Sequence, residues 1–428
     1  MNKMKHSGID WLGEIPEDWE VQRLKYLGAA RNGLTYSPAD MSDEGVLVLR
    51  SSNIQGGTLS FNDNVYVDMQ IPDDLILQEN DLLICTRNGS RALIGKCALI
   101  DKETAGNTFG AFMGIFRSQY NRFINYVFQS HLFSFYLGSY LTATVNQLTL
   151  SNLNSMEIPI TMDLRKQKVI IDYLDKKCGQ IDILIETDEK TISELREYKK
   201  SIIYMAVTKG IKKASLIDSG IPWLGDIPIN WTLYRVKNIF DVQGGNGFPM
   251  NEQGKENGDL PFLKNSDIND DDFYIQTGKN YLTFKDVERL KPNIIPSYSI
   301  IMGKIGESLK KNHRKVNLCK CLIDNNMQAL VIKNNGNIEY LKYLSKSIDM
   351  RWFDNGGTIP CVNNQFFLNS WLVIPPLEEQ KSIVDYLDKK CGQIDSLMKI
   401  KQQKIFELKE YKKSLIYEYV TGKKEVPA

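Results

Sequence analysis

The sequence predicts an α+β chain in which two mixed α/β domains are separated by a long antiparallel two-helix coiled coil, the halves related by an internal pseudo-twofold duplication. Three observations predict it. A short opening motif recurs 212 residues later. A ten-residue motif recurs letter for letter, offset by 213. Each copy of that second motif lies in a charged segment with a single apolar stripe.

A repeat has to be sought first, because missing one misassigns the whole fold. Ser7-Gly8-Ile9-Asp10-Trp11-Leu12-Gly13-Glu14-Ile15-Pro16, ending in Trp19, recurs as Ser219-Gly220-Ile221-Pro222-Trp223-Leu224-Gly225-Asp226-Ile227-Pro228, ending in Trp231. Trp11, Trp19, Trp223 and Trp231 are expected to be packing anchors. YLDKKCGQID stands at Tyr173–Asp182 and again at Tyr386–Asp395, and the identity extends to 19 of 29 positions by Ser201 and Ser414. The unit of roughly 210 residues is therefore opening motif, body and long charged segment, made twice.

The bodies (about 20–157 and 232–373) have diverged, and only islands align. VLRSSNI (48–54) matches FLKNSDI (262–268), and TRNGS (86–90) matches GKIGES (303–308), a pairing that sets Arg87 against Lys304 and Gly89 against Gly306. Apolar runs punctuated by Gly, Asn and Asp read as strands at 82–85, 110–116, 299–303 and 328–332. One helix per body is expected, over 121–137 and 337–353.

Segments 165–208 and 378–421 read as long helices. Apolar residues fall at Ile170, Leu174, Ile181, Leu184, Ile192, Leu195 and Ile202, and again at Ile383, Leu387, Ile394, Leu397, Ile405, Leu408 and Leu415. Such a stripe on a charged helix is the pattern of a coiled-coil seam. Forty-odd residues at about 1.5 Å each span roughly 60–65 Å. A single stripe must be buried, and the other copy is the available partner. The short connector 209–218 then requires the second helix to run back along the first. Gly179 and Gly392 each cost about 1 kcal/mol against alanine, marking a bend or a close helix contact.

At 428 residues the chain exceeds one ordinary domain. Hydrophobic content of 42% with 25% charged residues is that of a globular protein rather than a disordered one. No apolar run reaches membrane-spanning length, and the opening residues lack a secretory h-region. Seven scattered cysteines suit reduced thiols, so a cytoplasmic location is expected. Net charge is +1. Residues 165–213 carry 12 basic against 8 acidic groups and 378–424 carry 11 against 8, which leaves −6 elsewhere, so any nucleic-acid surface must concentrate its cations locally.

Catalytic motifs are missing from the sequence. There is no G-x-G-x-x-G and no phosphate-binding G-x-x-x-x-G-K-[ST]. The one Pro-Pro, in Ile374-Pro375-Pro376-Leu377, lacks the polar residue a DNA methyltransferase uses to hold its target amine. Pro72-Asp73 and Glu379-Gln380-Lys381 do not complete a nuclease site. Cys319-Lys320-Cys321 is too tightly spaced for a zinc knuckle, so alternating strand cysteines, one of them buried, are expected. His6 and His131 stand alone. No catalytic and no metal-binding residues are assigned.

Cations and amides on Gly-containing loops contact phosphates and base edges. In body 1 these are Arg87, Asn88, Ser90, Arg91 and Lys96, with Arg50, Ser51 and Asn53 from the first island and Thr144, Asn146 and Gln147 ahead of the helical segment. In body 2 they are Lys304, Lys310, Lys311 and Arg314, with Lys264, Asn265, Thr358 and Asn363. These are the candidate DNA-binding residues. The competing reading is a coiled-coil scaffold without DNA contacts, in which the same loops are merely solvated.

WLGEIPEDWEVQRLKYL and WLGDIPINWTLYRVKNIF, with the closing IPPLEEQKSIVDYLDKKCGQID, resemble the specificity subunit of a type I restriction-modification enzyme over nearly the whole chain. In the first half, Ile158-Pro159-Ile160-Thr161-Met162-Asp163-Leu164-Arg165-Lys166-Gln167 departs from that pattern, being three residues longer between Ile-Pro and Gln. The resemblance implies target-recognition domains at 1–160 and 213–375, with spacer helices at 161–212 and 376–428. It implies a non-catalytic chain that binds a bipartite, asymmetric site in double-stranded DNA. The implied partners are methyltransferase subunits, two per chain, and motor-nuclease subunits. S-adenosylmethionine, ATP and magnesium would belong to those partners, with no cofactor on this chain.

Overall fold

The computed structural model describes residues 3–141, 146–269, 272–333 and 336–427. The chain divides into two compact units, Met1–Glu189 with Gln402–Ala428, and Lys190–Lys401. Each unit is mixed α/β and includes parts of both long helices.

In the first unit an antiparallel sheet runs in the order Cys97–Leu99, Leu82–Cys85, Met113–Arg117, Ala29–Asn32, with Leu82–Cys85 buried throughout and Ala29–Asn32 mostly exposed. A second sheet runs Thr108–Phe109, Val46–Leu49, Tyr66–Val67, Met41–Ser42. Leu49, Leu83, Cys85, Phe109 and Ile115 close the core between them. The second unit repeats the plan with Phe240–Gly244, Met327–Ile332, Ile300–Gly303, Lys315–Asn317 and Tyr274–Ile275, and a smaller sheet of Tyr281–Leu282, Leu260–Leu263 and Leu322–Ile323. The strands expected at 82–85, 299–303 and 328–332 are present. The run 110–116 is not one strand: 110–112 forms a turn, and the strand begins at Met113.

The two sheets correspond residue by residue. Leu82 pairs with Phe116 in one unit as Ile300 pairs with Leu330 in the other, and Asn32 faces Gly114 as Gly244 faces Gln328. At the next residue both units need glycine. A methyl on Gly33 would stand 2.2 Å from the Gly110 carbonyl oxygen, and one on Gly245 would stand 2.1 Å from that of Asp324. This register revises the alignment of the second island by one residue. Thr86 donates its N–H to the Phe112 carbonyl as Lys304 does to Asn326, so Lys304 corresponds to Thr86 and Arg87 to Ile305. A one-residue slip exchanges the faces of every side chain, which is why the correction matters.

The single helix expected over 121–137 is broken in two, Asn121–Gln129 and His131–Tyr140. Ser130 is extended, and its hydroxyl accepts the Leu132 N–H as a cap for the second helix. Likewise 337–353 is a helix only over Ile338–Ser347, followed by a 3-10 turn at Met350–Phe353.

The long helices run Leu164–Lys209 and Leu377–Val420. Their buried or half-buried faces are Leu174, Cys178, Ile181, Ile185, Asp188, Ile192, Leu195, Lys199, Ile202 and Ala206, and the same ten positions 213 residues on, Leu387 to Tyr419. The steps alternate four and three, the 3.5-residue repeat of a left-handed seam. In the first unit the Tyr173 and Tyr419 rings meet at a tilt, Lys412 grips Asp182 at 2.7 Å, and Lys409 reaches Glu189 at 3.3 Å, so rising numbers meet falling ones. In the second, Lys199 grips Asp395 at 2.7 Å, the symmetry mate of the Lys412 pair. The pairing is antiparallel in each unit. Leu184 and Leu397, expected in the seam, face outward at 45% and 42% exposure, and Ile185 and Met398 take their places. A methyl added at Gly179 or Gly392 would meet nothing within 4 Å, so no close contact demands either glycine.

The two helices are entered alike. Strand Glu157–Ile160 pairs with Glu20–Arg23 so that Ile160 faces Glu20, and Ile374 faces Thr232. Pro159 thus corresponds to Val373, and the three-residue surplus inferred by matching Ile-Pro to Ile-Pro shrinks to one. Gln167 then bonds back to the Thr161 carbonyl at 2.7 Å, as Gln380 does to Pro375 at 3.0 Å.

Candidate nucleic-acid interface

The two islands form one site in each unit because the sheet brings them together. After Val46–Leu49 the chain makes a 3-10 turn, Ser51–Asn53, and after Leu260–Leu263 it makes Asn265–Asp267. Each turn is closed by its third residue. The Asn53 side-chain oxygen accepts the Arg50 N–H at 2.9 Å, and the Asp267 carboxylate accepts that of Lys264 at 2.8 Å.

In the first unit Asn88 donates to the Ser51 hydroxyl at 3.0 Å, joining that turn to the loop that follows Leu82–Cys85. Arg87 is bridged through its backbone to Gln147, and the Leu148 N–H bonds to the Thr86 carbonyl. The Arg87 guanidinium lies over the Phe112 ring, 5.3 Å from its centroid, and that ring is 60% exposed. A cation–π contact at such a site contributes about 0.5–1 kcal/mol, enough to bias an otherwise free guanidinium. Ser51, Arg87, Asn88 and Gln147 thus share one surface. Asn146 and Ser90 are exposed nearby in sequence, and Thr144 lies outside the described residues.

Other predicted residues serve the fold. Asn53 is fully buried, its amide donating to Ser60, Asp63 and Asn64, so its side chain presents nothing to a ligand. Arg50 pairs with Asp63 at 2.9 Å. Arg91 donates to the Leu141 carbonyl at 2.7 Å, and Lys96 lies 3.4 Å from that of Ile54.

In the second unit a methyl on Gly303 would come within 2.4 Å of the Ser308 hydroxyl and 2.9 Å of the Asn265 side-chain oxygen, so Asn265 sits on the loop that carries Lys304. The Val362 N–H bonds to the Lys304 carbonyl, and Ile305 is bridged to Cys361. Lys264 lies over Phe248 and donates to Gln253 at 2.7 Å. Lys310 and Lys311 are exposed on the short helix Glu307–Lys311, the former paired with Glu307. Thr358 and Asn363 are exposed, and Asn363 accepts the Phe366 N–H as a helix cap. Arg314 must be withdrawn from the surface set. It is 3% exposed, and its guanidinium is spent on the His313 and Ile348 carbonyls and on Asn312.

Phe112 and Asn326 escaped the sequence reading because both sit at a turn between strands that the sequence merges or leaves unmarked. The aromatic directly after Gly110-Ala111 was the available signal. Cys321 is buried, its thiol pushed up to about 12 by desolvation, and Cys319 donates to the Gln276 carbonyl. The expected alternation along one strand is not found: Cys319 lies in a bend after Lys315–Asn317 and Cys321 forms an isolated bridge to Ile295, although Cys321 is buried as expected. Among the described residues no three His, Cys, Asp or Glu converge as metal ligands, and no helix is long and apolar enough to cross a membrane.

Residues 16–195 and 228–410 match the family model of the type I restriction modification DNA specificity domain. A putative type I restriction enzyme MjaX specificity subunit from Methanocaldococcus jannaschii is 26% identical, over 96% of this chain and 95% of its own. The MjaVIII specificity subunit of the same organism is also 26% identical, over 96% and 93%. A chain solved in work on complex assembly and conformational transition of the type I R-M system shares the fold, with a TM-score of 0.67 at 14% identity over 95% of this chain and 98% of its own.

Proposed function

Because the chain belongs to the type I restriction-modification DNA specificity family, we propose that it is the DNA-reading subunit of such an enzyme, each unit binding one half of a bipartite, asymmetric site. One observation carries this reading. The same frame is built twice, and at matching places on it the loop side chains differ. Identical scaffolds with unlike loops suit two half-sites of unlike sequence. Phosphate contacts hold a protein on DNA and base-edge contacts specify where, and Arg87, Asn88, Asn265 and Lys304 are of the types that make both.

The chain's part is recognition, without a reaction step of its own. The long helices act as the spacer between half-sites and, with the repeated opening motifs, as the framework on which two methyltransferase subunits dock. Motor-nuclease subunits join for restriction. S-adenosylmethionine, ATP and magnesium are used by those partners, in the cytoplasm where the DNA is. Partner cations add to the phosphate neutralisation that this nearly neutral chain supplies sparingly.

The test is the methylated motif in cells that carry this chain with its partner subunits. The expected result is two unlike half-sites across a fixed gap, with exchange of residues 232–373 for a relative's body changing one half alone. A continuous motif, or a change in both halves, refutes the proposal. The scaffold alternative predicts instead that alanine at Arg87, Lys304, Lys310 and Lys311 leaves the salt slope of the assembly's DNA binding unchanged.

A further inference from the structure

The register that relates the two sheets identifies three places where the same backbone holds different chemistry. The Phe112 carbonyl accepts the N–H groups of Thr86 and Arg87 and the Thr86 hydroxyl, each at 3.0 Å. Arg87 is bridged to Gln147. In the other unit the Asn326 carbonyl accepts the Lys304 N–H at 3.0 Å, and Ile305 is bridged to Cys361. Arg87, Phe112 and Gln147 therefore occupy the places of Ile305, Asn326 and Cys361. None of the six is fully buried, and Arg87, Phe112, Gln147 and Asn326 are exposed.

Their backbones are fixed by ladder and bridge hydrogen bonds, while the Phe112 and Asn326 side chains project from turns and that of Arg87 from a bridged residue beside Phe112. That is the combination a reader of base edges needs, a rigid mount with free donors and acceptors. Lys310, by contrast, is tied to Glu307 and stands on a short α-helix where the first unit has the 3-10 turn Arg91–Leu93.

We infer that these matched triads are specificity determinants, Arg87 reading guanine in the half-site of the first unit and Asn326 reading adenine in that of the second. The inference rests on the DNA-reading function proposed above. An Arg fork matches guanine O6 and N7, and an Asn amide matches adenine N6 and N7. Phe112 holds the guanidinium from behind. Ile305 offers an apolar contact of the kind that suits a thymine methyl beside the adenine. Gln147 and Cys361 border the contact, one able to donate and accept, the other nearly inert.

The experiment determines methylated motifs in cells carrying the full chain with its partner subunits, for the natural sequence and for Arg87→Ala, Arg87→Lys, Phe112→Ala and Asn326→Ala. A good bidentate contact discriminates roughly ten- to a hundredfold against the wrong base. Arg87→Ala is expected to relax one guanine position by that factor, leaving the other half-site and the gap intact. Arg87→Lys keeps the charge but not the fork and relaxes the same position, and Phe112→Ala relaxes it less. Asn326→Ala relaxes one adenine position in the other half. Because these side chains leave the fold's hydrogen bonds to the backbone, a variant that abolishes all methylation while remaining folded and assembled overturns the inference. So does a bipartite motif that no variant alters. If the natural chain directs no bipartite motif, the DNA-reading function itself falls, an outcome distinct from both.

Discussion

Leu174→Ala and Leu184→Ala separate two phases of the long helix that the amino-acid pattern alone treats as one. Leu174 is fully buried in the seam, whereas Leu184 is 45% exposed and Ile185, at 8%, is the residue that packs. Truncating a fully buried leucine removes its transfer free energy and leaves a cavity, about 3 kcal/mol together. The half-exposed Leu184 forfeits about 1 kcal/mol or less, with no enclosed cavity behind it. For a unit of this size each kcal/mol moves the melting temperature by about 2–4 °C. Leu174→Ala is thus expected to lower it by about 6–12 °C and Leu184→Ala by at most about 4 °C, with Ile185→Ala close to the former. Thermal and urea unfolding of the full chain, followed by far-UV circular dichroism, reads the difference. Equal losses at 174 and 184, or a larger one at 184, would refute the seam described here.

Gly245→Ala places a methyl 2.1 Å from the Asp324 carbonyl and is expected to cost more than about 2 kcal/mol. Gly179→Ala meets open space and is expected to stabilise by about 1 kcal/mol, both read as urea midpoints. Tyr298 has a left-handed backbone, φ 61°, at the place where the first unit has Asn80, φ 65°. Tyr298→Asn is therefore expected to raise stability by about 1 kcal/mol, and a loss would show that the ring contributes more than its backbone costs. The Asp286 carboxyl is held well below the usual carboxylate range by the Thr283 hydroxyl, then by Arg289 and the Thr283 N–H. A depressed folded-state value stabilises above the unfolded value of about 4, and that contribution disappears as pH falls through the folded value. The melting temperature of the natural chain should therefore fall from about pH 5 towards pH 2 more steeply than that of Asp286→Asn.

Much of the fold was legible in the sequence. The decamer repeat and the opening motif located both long helices and both bodies, because helix periodicity and a near-identical frame survive divergence. The site was legible only in part. Ser51, Arg87 and Asn88 meet as the islands suggested, and Gln147 joins them from the polar stretch ahead of the helix, but Asn53 and Arg314 are interior groups. Polarity in a loop does not distinguish a side chain that binds outward from one that staples its own turn. Phe112 and Asn326 were missed because their exposure comes from turns whose positions depend on strand pairing.

By itself, the sequence determined that the protein is a duplication, that its halves share one frame, and that its long helices carry one buried stripe. Those facts are local or repetitive, and a single chain displays them. The tertiary structure decided which residue of one body answers to which of the other, whether Leu184 or Ile185 enters the seam, and which polar side chains reach solvent. Each of those depends on hydrogen bonds and packing between segments far apart in the chain. A shift of one residue, or of one helical position of about 100°, leaves composition unchanged but turns a buried group outward.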